Sequence, residues 1–233
     1  MAAYGRPCQQ SSSVRQVPDH AMAEGRFITF EGGEGAGKST QLQRLGNALS
    51  RTGVDVVRSR EPGGSPAAEE IRKMLVSGET QRWIPETELL LHTAARVEHV
   101  ASVVKPALVR GSWVVCDRFH DSTLAYQGYG QGLGTDMVDH LHQLLFGAFQ
   151  PDLTIIFDLP VDMGLGRTQR RGGDEDRYER MELEFHERLR HGFLEIAKRY
   201  PDRCAVFDAA KDEDDVYEDV IACVNARFSL ALD

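Results

Sequence analysis

The 233-residue sequence predicts an α/β fold in one domain: three layers, with a five-stranded parallel sheet flanked by helices. Three observations carry this. Short apolar runs alternate along the chain with longer stretches of helical periodicity. The runs are almost continuously apolar, as strands buried on both faces are. The composition, 41% hydrophobic with 22 glycines, supplies one full core and needs no second domain.

In chain order, Phe27–Phe30 is the first strand, and Gln41, Leu42, Leu45 and Leu49 give the helix Lys38–Arg51 its inner face. A strand at Val54–Arg58 and a helix at Ala67–Val76 follow, then a long helix over Glu86–Arg110. Strand Trp113–Cys116, helix Met137–Phe146, strand Leu153–Phe157 and helix Val161–Arg170 repeat the alternation. In the helix Glu179–Tyr200, Met181, Phe185, Leu189, Phe193 and Ala197 recur every four residues, a core stripe. Strand Cys204–Phe207 and helix Val216–Leu232 close the domain, which spans residues 25–233. Residues 1–24 differ. Gln9-Gln10-Ser11-Ser12-Ser13 is polar and low in complexity, and no continuous apolar segment suggests a secretory signal. That stretch reads as a disordered extension, or as an upstream start with the true start at Met22.

Composition removes several classes of function. A net charge of −9 argues against a bulk electrostatic grip on nucleic acid, while leaving room for a local cationic pocket. No apolar stretch approaches the length of a membrane span, so no membrane partner is expected and the cytoplasm is the default compartment. The four cysteines, Cys8, Cys116, Cys204 and Cys223, form no close pair. Cys116 and Cys204 lie in strand-like runs and read as buried free thiols rather than zinc ligands or disulfides.

Parallel sheets bind ligands beyond the carboxyl ends of their strands. Directly after the first strand stands Gly32-Gly33-Glu34-Gly35-Ala36-Gly37-Lys38-Ser39, which fits the phosphate-binding pattern G-x-x-x-x-G-K-[ST]. Glycines let backbone N–H groups converge on phosphate oxygens, Lys38 adds a mobile positive charge, and the Ser39 hydroxyl can ligate Mg²⁺. The helix beginning at Lys38 and running through Thr40 points its positive end at the same anion. The bland alternative, a glycine-rich turn without a ligand, does not explain the strand before it and the helix after it. The loop implies a nucleoside triphosphate, but not the fate of its phosphate.

Asp117-Arg118 follows the third strand, where a carboxylate associated with Mg²⁺ belongs; an ordinary ion pair or helix cap is the alternative. After the second strand, Arg60-Glu61-Pro62-Gly63-Gly64 is either a simple turn or, with Arg72, a wall of the crevice. Ser122 to Gly128, containing Thr123, Tyr126 and Gln127, suits a nucleobase and sugar better than a core helix. His92 and Arg96 share one helix face, which is equally the signature of a solvated stripe. Arg167, Arg170, Arg171 and Arg177 flank a Gly172-Gly173 joint and an acidic patch. Such clusters are usually surface, yet a phosphoryl-transfer enzyme needs a cation on the transferred group, and residues 33–36 contain no arginine. A mobile flap at about 167–178 can deliver one.

Taken together, these segments resemble the thymidylate kinase family in its bacterial form, over residues 26–230. The resemblance rests on Phe30 to Ser39, Arg60 to Gly64, Ala94-Ala95-Arg96, Asp117-Arg118-Phe119 with Ala125 to Tyr129, and Pro151-Asp152-Leu153, in that order. It implies a P-loop NTPase fold like that of nucleoside monophosphate kinases, conversion of ATP and dTMP to ADP and dTDP, Mg²⁺, and a homodimer. It also implies roles. Gly32 to Thr40 hold ATP, and Ser39 and Asp117 its metal. Glu34 meets the sugar 3′-hydroxyl of dTMP, Arg118 the acceptor phosphate, Arg96 the thymine, and Arg60 and Arg72 the nucleotide. Thr123 and Gln127 line the base pocket, and Tyr126 crowds C2′. Lys38, Asp117 and the flap arginines Arg171 and Arg167, with Arg170 a close rival, form the catalytic set. His92 stands where many members stack a phenylalanine on thymine. The rivals are a kinase for another nucleoside monophosphate or a deoxynucleoside and, in a different class, a P-loop regulatory module that binds ATP with no acceptor. A GTPase would carry a guanine-reading Asn-Lys-x-Asp segment, which this chain lacks.

Overall fold

The structure, a computed structural model, describes residues 25–171 and 176–233; the side chains of Arg170 and Arg171 also lie outside the described part. Five strands, β1 (Phe27–Gly32), β2 (Val56–Arg60), β3 (Trp113–Asp117), β4 (Leu153–Asp158) and β5 (Cys204–Asp208), form one sheet in the order β2-β3-β1-β4-β5. Every pairing is parallel. The helices are α1 (Lys38–Arg51), α2 (Pro66–Leu75), α3 (Pro85–His99), α4 (Lys105–Val109), α5 (His120–Thr123), α6 (Thr135–Phe146), α7 (Val161–Arg171), α8 (Leu183–Arg199) and α9 (Glu213–Phe228). With β1 central, the chain leaves it toward β2 and later crosses it to reach β4. The crevice at the carboxyl ends of β1 and β3 is therefore the expected ligand site.

The sheet buries apolar residues on both faces. Ile28, Phe30, Ile155 and Phe157 pack with Leu42, Leu45 and Leu49 of α1 and Val220 and Val224 of α9. On the other side Ile156 meets Phe185, Leu189 and Phe193 of α8, and Phe27 and Val114 meet Val100 and Val104. Each such side chain removed from water contributes about 1.5–3 kcal/mol, so the sheet is a stiff base for the loops at its edge.

Strand positions agree with the sequence reading, with β2 two residues later than Val54. The other departures have local causes. The long helix passes through a π-helical turn at Val100–Val104 before α4; Pro106 cannot donate to the preceding turn, and the widened turn absorbs the mismatch. Instead of beginning at Glu179, α8 starts at Leu183, because residues 177–182 are tied down as turns. Residues 120–130 are helical and buried, α5 running into a π-helix at Leu124–Gly130, so this segment is at once core and pocket wall. Among the described cysteines, Cys116 is buried and free as expected, while Cys204 and Cys223 are free but only partly buried; Cys204 lies on edge strand β5. Cys8 lies outside the described residues. No helix among the described residues is long and apolar enough to cross a membrane.

Candidate active site

Two sites share the turn after β1. In the phosphate loop, Gly32 has φ +133° and a Cβ there would lie 2.5 Å from the Phe157 carbonyl oxygen, so only glycine passes between β1 and β4. Gly33, Glu34, Gly35 and Ala36 make the turn, and Gly37, at φ +83°, caps α1. Lys38 is buried and its Nζ donates to the carbonyls of Gly32 (3.2 Å) and Gly33 (2.7 Å). Burial, then Arg118, pulls its pKa down to about 8. Ser39 and Thr40 are exposed on the first turn of α1.

The Ser39 hydroxyl donates to Asp117 Oδ2 at 2.8 Å, while Asp117 Oδ1 is buried with no partner. A hydroxyl and a half-satisfied carboxylate are hard oxygen donors suited to Mg²⁺, which binds through one or two protein oxygens plus phosphate and water. No group of three or more His, Cys, Asp or Glu that could by itself hold a metal ion occurs among the described residues.

The residue after Asp117 turns the other way. Arg118 has φ +69°, left-handed backbone rare outside glycine. Its N–H donates to the Phe30 carbonyl at 2.9 Å. The next N–H, of Phe119, donates to Glu31 Oε1 at 2.7 Å, and Ser122 donates to Glu31 Oε2 at 2.5 Å. Glu31 is buried; burial and then Asp121 push its pKa up to about 8, because Asp121 is locked by two hydrogen bonds to Arg203 and keeps its charge. So held, Arg118 donates to Glu34 Oε1 (3.1 Å), the Gly32 carbonyl (3.0 Å) and Ser122. Tyr126 also donates to Glu34. Burial opposes the Glu34 charge, but Arg118 and Lys38 overcome it and hold the pKa near 2.

Glu34 and Arg118 open onto a cavity of about 110 Å³. Of the expected acceptor residues, Arg72, His92, Arg96, Thr123, Tyr126 and Gln127 all line it. Arg96 is the best fixed. Its Nε donates to Glu61 Oε2 at 2.7 Å, and its Nη2 to Thr123 Oγ1 (2.7 Å) and the Phe119 carbonyl (3.1 Å), leaving Nη1 for a ligand. Behind it, His99 Nδ1 meets the other Glu61 oxygen at 2.9 Å and His99 Nε2 meets Ser59 Oγ at 2.6 Å. Gly64 covers this chain: at φ +82°, its Cβ would sit 2.4 Å from Ser59 Oγ. Arg72 donates to the Pro62 carbonyl at 2.8 Å. His92 Nε2 lies 2.8 Å from the Tyr178 hydroxyl. Burial and the surrounding arginines, Arg96 first, pull the His92 pKa down to about 3, so the ring is neutral near pH 7.

Two expected residues stand elsewhere. Arg60 does not line the acceptor cavity; Glu69, on the first turn of α2, captures it at 2.9 Å, and Arg60 lines a neighbouring cleft with Ser39 and Asp117. Arg167 reaches back to the carbonyls of Gly35 (3.3 Å) and Ala209 (3.2 Å), on the phosphate-loop side. Arg171 ends α7, but its side chain and that of Arg170 lie outside the described residues, as do residues 172–175 of the expected flap.

The structure adds residues that local spacing does not single out, Glu31, His99 and Glu88, and it places Arg177 of the expected flap cluster in the interior. Arg177 is fully buried, donating to the carbonyls of Leu75, Glu79 and Thr80 and pairing with Glu88 at 2.5 Å. A face-by-face reading of α3 offers one signal. Glu88, His92 and Arg96 recur every four residues, and polar groups on an inward face mark a site.

Known proteins resemble this chain over most of its length. The family model described as thymidylate kinase matches residues 30–220. The chain is 51% identical over 209 residues to the thymidylate kinase of Caulobacter vibrioides, covering 90% of this chain and 100% of the relative. It is 50% identical over 198 residues to that of Dinoroseobacter shibae, covering 85% and 95%. The crystal structure of thymidylate kinase from Ehrlichia chaffeensis superposes with a TM-score of 0.70 at 39% identity, over 86% of this chain and 99% of that one.

Proposed function

The chain belongs to the thymidylate kinase family, and on that premise we propose which of its residues perform the reaction. It phosphorylates dTMP to dTDP. The donor in this reading is ATP with Mg²⁺, held at Gly32 to Thr40 with Ser39 and Asp117 supplying the protein oxygens for the metal. The bound ion would neutralise charge between the outer phosphates. The observation that carries the assignment is the shared turn: Glu34 belongs to the phosphate loop yet is hydrogen-bonded to Arg118 and Tyr126 of the acceptor cavity. Donor and acceptor phosphates thereby meet across one residue.

The attacking atom is a phosphate oxygen, anionic near neutral pH, so no strong general base is needed. The work left to the protein is positioning and charge neutralisation. Arg118 holds the acceptor phosphate, Glu34 the 3′-hydroxyl, Arg96 the thymine, and Tyr126 occupies the space a 2′-hydroxyl would need. Lys38 neutralises the outer phosphates of the donor. Arg167, already bound to the phosphate-loop carbonyl of Gly35, serves the donor side. Arg171, one turn further along α7, is assigned to the transferred group. Closing the flap would exclude water that otherwise hydrolyses ATP.

A homodimer belongs to the same reading. Leu90 and Val97 of α3 and Met137, Leu144 and Leu145 of α6 are exposed on two helices that pack together, a surface that favours burial against a second copy. Light scattering after size exclusion tests it, and a monomer at micromolar concentration would refute it. The reaction itself is tested by a coupled ADP-release assay with ATP, Mg²⁺ and a nucleotide panel. Preference for dTMP is expected; preference for dCMP or dAMP, or ATP hydrolysis indifferent to any acceptor, would overturn the assignment.

A further inference from the structure

The fully buried carboxylate of Glu88 stands behind the acceptor cavity and has no part in the reaction described above. It lies on the first turn of α3, where the helix dipole favours a negative charge. Four groups converge on it. Gln127 Nε2 donates to Glu88 Oε1 at 2.8 Å, and Gln131 Nε2 donates to the same oxygen at 2.6 Å. Arg177 pairs with Oε2 at 2.5 Å, and the Tyr178 phenol lies against it, its pKa pushed well up by burial and then by the Glu88 charge. A carboxylate paired with arginine can only accept hydrogen bonds. That rule settles how the Gln127 amide lies. Its NH₂ must face Glu88, so its carbonyl oxygen must face away. Gln127 lines the acceptor cavity, is wholly buried, and its Oε1 has no partner among the described residues.

An orphaned buried acceptor is destabilising until something donates to it. On the same wall Arg96 offers the opposite chemistry, a guanidinium whose Nη1 is a donor. The cavity thus presents one acceptor and one donor, separately fixed, each by a buried carboxylate: Glu88 for Gln127 and Glu61 for Arg96. A pyrimidine with an N3–H donor beside an O4 acceptor, as in thymine or uracil, complements this pair. Cytosine, with a bare N3 and an N4 amine, reverses both positions and would leave each protein group facing its like.

We propose that Glu88 is a specificity-determining positioning residue: by locking the Gln127 amide with its oxygen toward the cavity, it makes the enzyme select N3–H pyrimidine monophosphates over cytosine ones. This rests on the assignment of the cavity to dTMP. A glutamine at position 88 can donate as well as accept, so the Gln127 amide becomes free to turn over and present NH₂ to the base. The residue touches no substrate, and its loss acts on selection rather than on phosphoryl transfer.

The experiment measures kcat/KM for dTMP and dCMP in wild type, Glu88→Gln and Gln127→Leu, with KM for ATP as an internal check. Glu88→Gln is expected to lower the dTMP:dCMP ratio at least about tenfold, since mispaired buried polar groups dominate such discrimination. KM for ATP should not change. Gln127→Leu, which leaves the Glu88–Arg177 pair intact, should lose the same discrimination and keeps the test decisive if Glu88→Gln does not fold. In wild type, N3-methyl-dTMP, which lacks the donor, should be at least about tenfold poorer than dTMP. A folded Glu88→Gln or Gln127→Leu enzyme with the wild-type ratio overturns the proposal. A wild-type enzyme that does not prefer dTMP instead overturns the assignment of the cavity, so the two failures are distinct.

Discussion

Glu61→Gln separates the positioning of Arg96 from the chemistry. Glu61 and Arg96 are each 3% exposed and joined at 2.7 Å, with His99 on the second carboxylate oxygen at 2.9 Å. The substitution keeps shape and one acceptor oxygen but leaves the guanidinium charge buried without its counterion. Breaking a buried pair from one side costs about 3–5 kcal/mol, and the retained oxygen argues for the lower end, about 3. For a domain of this size each kcal/mol moves Tm by about 2–4 °C, so a fall of about 6–12 °C is expected. Arg96 would also swing from its place, and losing one charged hydrogen bond to the base raises KM for dTMP about tenfold or more. Scanning calorimetry and the coupled kinase assay read the two effects. A second variant sharpens the logic. Glu61→Gln with Arg96→Leu removes both charges, so at least half of the lost Tm should return while KM for dTMP stays high. A single variant within about 2 °C of wild type with unchanged KM would refute the argument. So would recovery of KM in the double variant.

Further outcomes follow from the same geometry. Arg171→Ala should lower kcat at least about a hundredfold, as loss of an arginine on the transferred phosphoryl does, while Arg167→Ala should act mainly on KM for ATP; near-normal turnover of Arg171→Ala would move the role to Arg167 or Arg170. Because Lys38 must be charged to hold phosphate and its pKa lies at about 8, kcat/KM for ATP should be flat below that value and fall as pH rises through it. A profile level up to pH 10 would exclude Lys38 as the titrating group. Glu31 holds a proton in the folded state up to about 8 that the unfolded chain releases near 4.5. Its contribution is thus full below pH 4.5 and is lost as pH rises to 8. Glu31→Gln should flatten the decline of Tm across that window, and a slope identical to wild type would show that Glu31 is ionised in the fold.

Local rules explain what was legible in the sequence. Strands buried on both faces announce themselves as apolar runs, and the phosphate loop is a contiguous spacing, so β1, α1 and the residues Gly32 to Ser39 stand where the pattern puts them. Asp117 and Arg118 stand out because they end an apolar strand. Partnerships across the chain were not legible. Glu88 meets Gln127 at a separation of 39 residues and Arg177 meets Leu75 at 102, distances at which no periodicity carries information. Arg60 illustrates the converse. It is the right residue type in the right motif, but Glu69, nine residues on, takes its charge. Residues 122–128 read as a wall for base and sugar rather than a core helix, and they are both: the segment is a buried helix that turns Ser122, Thr123, Tyr126 and Gln127 toward the cavity.

What joins the two sites is the pairing of β1 with β3. Phe30 stands opposite Asp117, so both chains leave the sheet at the same level. Asp117 keeps the strand direction and faces Ser39; Arg118, inverted to φ +69°, faces Glu34. One backbone inversion thus sends consecutive side chains to the two places we assign to the donor metal and to the acceptor phosphate, which would have to lie within reach of each other for in-line transfer. A left-handed arginine costs about 1–3 kcal/mol, and it persists only where its surroundings over-determine it. Here they do: Phe30 accepts the Arg118 N–H and Glu31, the very next residue, accepts the Phe119 N–H. The strand that carries the phosphate loop is therefore also the template that bends the acceptor loop. A change at Glu31 should disturb the placement of dTMP before it disturbs ATP.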